Sequence, residues 1–107
     1  MLVRVGPLPD GALDAASAFH AAELPRLRGM ADPVVTFLFA PADHTHTAWR
    51  RAAVQSLARE LAPRRINAIA SDDEAAIEAA LAYLAAADGV TGQYLALDSA
   101  GAGKVIE

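Results

Sequence analysis

The chain is 107 residues long, has no cysteine, is 54% hydrophobic and carries a formal charge of -4. That length allows one modest core, and the missing cysteine excludes a disulfide framework and any Cys-based zinc site. The apolar content excludes a disordered chain, the acidic balance speaks against a general nucleic-acid binder, and no membrane-length apolar run or signal peptide is apparent, so a soluble cytoplasmic protein is expected.

Leu2-Val3-Arg4-Val5, closed by Gly6-Pro7, reads as a short strand. Residues 10–29 read as a helix, with Asp10 as N-cap and Gly29 as its stop. Ala12, Ala15, Ala16, Phe19 and Leu24 supply an apolar stripe, and Pro25 should bend or end the helix. Val34 to Ala40 is the strongest strand signal. It is β-branched and aromatic, with no polar alternation, as expected of a strand buried on both faces. The polar loop Asp43-His44-Thr45-His46-Thr47 follows, with Thr45 or Thr47 able to cap the next helix. That helix runs to about Leu61, with Ala53, Leu57 and Leu61 at fourth-residue spacing beside Trp49 and Val54. Ile66 to Ala70 is a third strand. Ser71-Asp72-Asp73-Glu74 starts a third helix at capping-box spacing, carried by Ile77, Leu81 and Leu84. Gln93 to Leu97 is the last strand, before a Gly-rich tail. The order β-α-β-α-β-α-β predicts an α/β fold with a four-stranded parallel sheet and three helices.

Three segments then resemble the short-chain dehydrogenase/reductase family. Ser56 to Pro63, running into Ile66-Asn67-Ala68-Ile69-Ala70, is similar to that family's central helix and sixth strand. Thr91-Gly92-Gln93-Tyr94-Leu95-Ala96-Leu97-Asp98 is similar to its seventh strand, and Leu24-Pro25 with Met30 to the helix end before its fifth. Leu2-Val3 would lie in the fourth strand. The resemblance covers the second half of a Rossmann-type fold. It implies that the third helix crosses to the opposite face of the sheet, against the usual right-handed rule. The Gly-rich turn that cradles a dinucleotide belongs to the family's first half, and Gly101-x-Gly103 has no helix behind it.

The family's catalytic pair, Tyr-x-x-x-Lys, is also absent. On the alignment of Ala52-Ala53-Val54, Thr47 stands in the Tyr place and Arg51 in the Lys place. A threonine hydroxyl is too weak an acid to supply the proton. The single lysine is Lys104 and the single asparagine is Asn67, so neither the pair nor the family's helical Asn can be present. Asp98-Ser99-Ala100 replaces the family's Asp-Gly-Gly. No catalytic residue, no cofactor and no metal are therefore expected.

Asp43, His44 and His46 form a candidate ligand loop, since imidazole and carboxylate suit a divalent metal, but a solvated or capping role is the ordinary one. Arg50-Arg51 and Arg64-Arg65 could hold a phosphate, with solvated faces the favoured reading. Half of the family's fold needs a partner. The edge of the first strand, with Leu2 and Arg4, is a template for pairing. In the family, the first two helices of this half build a dimer interface, so Phe19, Trp49, Ala53, Val54 and Leu57 are expected to pack between copies. The expected protein is a non-catalytic homo-oligomer, or a modulator of a full-length dehydrogenase. The alternative is an oxidoreductase whose nucleotide site is completed by oligomerisation or by a partner chain. A small-molecule or metal binder using loop 43–47 is the last reading.

Overall fold

A computed structural model describes residues 1–97. Strands β1 (Leu2–Arg4), β2 (Val34–Phe39), β3 (Arg65–Ala70) and β4 (Tyr94–Ala96) alternate with helices α1 (Ala12–Arg28), α2 (Thr47–Glu60) and α3 (Glu74–Ala86). All strands are parallel, in the order β1-β2-β3-β4. This is the α/β arrangement of half a Rossmann-type fold. The Gly-rich tail, Lys104 and Asp98-Ser99-Ala100 lie outside the described residues.

Successive strand residues point to opposite faces. Val3, Phe37, Ala68 and Tyr94 are in register across the sheet and form one row of the first face. The small Ala68 and Ala70 leave room there for Phe19 of α1 and for Val54 and Leu57 of α2. Phe19 lies 5.2 Å from both Phe37 and Phe39, ring centre to ring centre, at tilted and edge-on angles. On the other face Leu38, Ile69 and Leu97 meet Ala76, Ile77, Ala80 and Leu84 of α3. The third crossover steps along the sheet in the same direction as the first two but on the opposite face. Its hand is therefore opposite to theirs, and each face of the sheet receives a helix, as parallel sheets require.

The local signals differ from expectation at the helix starts. Gly11, not Asp10, is the N-cap of α1, with no side-chain cap. Pro25 sits inside α1, which continues to Arg28. Asp43 accepts from the Thr45 backbone N–H and caps a short 3₁₀ turn, His44–His46, that leads straight into α2. Asp73, not Ser71, is the N-cap of α3, accepting from Ala75 N–H at 3.2 Å, while Ser71 Oγ accepts from Asp73 N–H. Gly92 is the one described residue with positive φ, at 74°, and its N–H donates to Ile66 O at 2.7 Å. Only glycine adopts that conformation without strain. No helix among the described residues is long and apolar enough to cross a membrane.

Candidate functional site

The segments after β1 and β2 project from the same end of the sheet. Between them lies a cleft of about 660 Å³, lined by residues 5–10 and 39–43 with His46 and Arg50. Open α/β sheets bind ligands outside the C-terminal ends of their strands, so this is the candidate site.

Arg50 is its most unusual group. The side chain sits on the inner face of α2, and the residue is only 5% exposed. Nη1 donates to Ala40 O at 3.0 Å and to the Tyr94 hydroxyl at 3.1 Å. The guanidinium lies 4.4 Å from the centre of the Phe39 ring, with Trp49 and Tyr94 further out. Nε is buried without a partner. The expectation of a solvated Arg50 is thus corrected: the residue falls on the apolar stripe of α2, four positions before Val54.

His46 is fully engaged. Trp49 Nε1–H donates to His46 Nδ1 at 2.9 Å, which leaves the ring proton on Nε2, 2.9 Å from Asp10 O. Asp43 accepts from the backbone N–H and the hydroxyl of Thr45. These bonds, hydroxyl first, hold its carboxyl below the usual carboxylate range. His44 is exposed. The structure thus brings Asp43 and His46 to the cleft but uses both in local hydrogen bonds. Among the described residues no group of three His, Cys, Asp or Glu could hold a metal ion.

A nicotinamide dinucleotide does not fit the described residues either. Its pyrophosphate needs free N–H groups at a helix start without negative charge. The connection into α1 contains Pro7, Pro9 and Asp10, and the first turn of α1 holds Asp14. Asp43 precedes α2, and Asp73 and Glu74 open α3. Thr47 and Arg51 share one face of α2, as i and i+4, and both are half-buried.

The residues expected at an interface divide into two sets. Phe19, Ala53, Val54 and Leu57 are buried inside this chain's own core, so they offer no surface to a partner. Trp49 is half-buried against the same core. The outward side of α1 and α2 carries Leu13, 84% exposed, and small side chains such as Ala21, Ala22, Ala48 and Ala52. Leu2 is half-buried and Arg4 exposed on β1, where Arg4 approaches Glu74 of α3 at 3.9 Å.

At the opposite end of the sheet, Arg64 and Arg65 are half-buried rather than solvated. Arg64 donates to Leu27 O and Asp32 O, both at 2.9 Å. Arg65 donates to Leu84 O and Ala87 O at 2.6 Å each, and to Val90 O. They close the last turns of α1 and α3, where free carbonyls favour cations. Asn67 is fully buried. It donates to Val90 O and accepts from Gln93 N–H, so it serves the fold.

Comparison with curated proteins and with solved structures finds no match. A family model described as "SDR-like: Short chain dehydrogenase-like protein" matches residues 3–97. With nearly the whole chain matched, the chain belongs to the short chain dehydrogenase-like family.

Proposed function

We propose that this chain is a non-catalytic member of its family that works by association with a second copy, paired edge to edge at β1. The observation that carries this reading is the outer edge of that strand. Thr36 N–H donates to Met1 O, and Val5 N–H donates to Leu38 O. Residues of a parallel strand alternate in the side to which they bond, so Met1, Val3 and Val5 bond toward β2. The N–H and C=O groups of Leu2 and Arg4 point the other way, where no strand lies among the described residues. A two-fold pairing centred on Val3 sets Leu2 opposite Arg4 of the second copy and satisfies all four groups on each side.

The absence of catalysis rests on the chemistry of α2. Thr47 and Arg51 stand where the family's Tyr and Lys are expected, and no Tyr-x-x-x-Lys occurs in the sequence. The carboxylates at the three helix starts add support.

Magnitudes bound the strength of the pairing. Four hydrogen bonds contribute roughly 1 kcal/mol each, and association costs at least about 4 kcal/mol. Edge bonds alone therefore give a weak complex, which needs the half-buried Leu2 and Val5 to add apolar area. Sedimentation velocity from ~1 to ~100 μM should show monomer passing to dimer, a range matching about -6 to -8 kcal/mol. Arg4→Pro removes an outward N–H without touching a bond to β2, and should shift the profile to monomer. A monomer at every concentration, or a dimer indifferent to Arg4→Pro, contradicts the proposal. A complex formed only with a full-length dehydrogenase contradicts it in favour of modulation.

A further inference from the structure

The cleft at the C-terminal end of β1 and β2 holds a charge that has no counter-ion among the described residues. Arginine is almost never buried unless its charge is paired. Arg50 is buried, yet no carboxylate pairs with it among the described residues, whose ion pairs all involve other cations. Its partners are one carbonyl, one phenol and the faces of aromatic rings. Arg64 also keeps one buried nitrogen without a partner, but Arg64 lies at the negative end of α1 and is half exposed.

The surroundings of Arg50 select among anions. Pro7, Pro9 and Pro41 line the cleft and have no N–H to offer. Asp10 and Asp43 also line it and oppose a polyanion. His46 is engaged on both ring nitrogens, by Trp49 and by Asp10 O, rather than turned to a ligand. Val5, Leu8 and Phe39 supply apolar wall.

We infer that the cleft is a binding site for a small organic monocarboxylate with an apolar body, its carboxylate held by Arg50. The site is separate from the β1 edge and from the association proposed there. A single negative charge neutralises Arg50, and the apolar body lies against Val5, Leu8 and Phe39.

Isothermal titration calorimetry of the whole chain with benzoate tests this, with benzamide and inorganic phosphate as controls. Benzoate should bind saturably at millimolar concentration or tighter. Benzamide, of the same shape without charge, and phosphate, with more charge and no apolar body, should each bind at least tenfold more weakly. Arg50→Gln should weaken benzoate at least tenfold. Ala42→Phe, at an exposed position lining the cleft, should do the same with Arg50 intact, and it keeps the test open if Arg50→Gln does not fold. No heat with benzoate, equal binding of benzamide, tighter binding of phosphate, or binding unchanged by Ala42→Phe would each overturn the inference.

Discussion

At the N-terminal end of the sheet, Arg64 and Arg65 donate to backbone carbonyls of Leu27, Asp32, Leu84, Ala87 and Val90. At the C-terminal end, Arg50 finds one carbonyl and one phenol, in a more buried setting. The first pair completes helices whose last carbonyls have no partner within the helix. Arg50 completes no helix; it stands beside a cleft with spare charge. The same side chain thus closes one end of the sheet and leaves the other end receptive.

Four substitutions sharpen or break this contrast. Asn67→Ala should have the largest effect, because it empties a fully buried position, takes the partner from Gln93 N–H and leaves Val90 O with Arg65 alone. The lost hydrogen bonds and the space left at a fully buried position cost about 3 kcal/mol together, readable as a lowered urea midpoint. Arg65→Met should cost about 2 kcal/mol by the same measurement, since it uncaps α3. Arg50→Met should lie within about 1 kcal/mol of the parent, because removing an uncompensated buried charge offsets the lost hydrogen bonds. If Arg50→Met destabilises as much as Arg65→Met, Arg50 is a structural clamp and the contrast between the ends fails.

Asp43→Asn should have the smallest effect, and one that depends on pH. The Asp43 carboxyl titrates below its ordinary value in the folded chain. Its contribution is therefore present above the unfolded carboxylate pKa and is lost as pH falls through the lowered folded value. Parent and variant should differ slightly in thermal midpoint near neutrality and converge in acid. A difference that widens on acidification contradicts the capping role.

Much of the fold was legible because its signals are local. The unbroken apolar run of β2 marks a central strand, and the alternation of strands and helices gives the parallel sheet. The hand of the third crossover was not legible from pattern, because the general rule puts α3 on the wrong face; the family resemblance supplied it. The cleft was hidden for another reason. Arginine on a helix ordinarily reads as solvated, yet Arg50 lies four residues before Val54 and seven before Leu57, on the stripe that faces the sheet. Glu23 hides in the same way within Ala15, Phe19, Glu23 and Leu27, the buried stripe of α1. In both cases helical spacing from buried apolar residues was the usable signal, and residue type masked it. Phe19, Ala53, Val54 and Leu57 show the converse: apolar character marks burial but does not say whether one chain or two provide it.

Hydrogen exchange at β1 tests the central claim of association most directly, because neighbouring amides there serve as controls for one another. The amides of Val3 and Val5, which face β2, should be protected at every protein concentration. Those of Leu2 and Arg4 should be protected at high concentration and lose protection on dilution. Leu2 and Arg4 amides that exchange as fast as loop amides at all concentrations would contradict edge pairing.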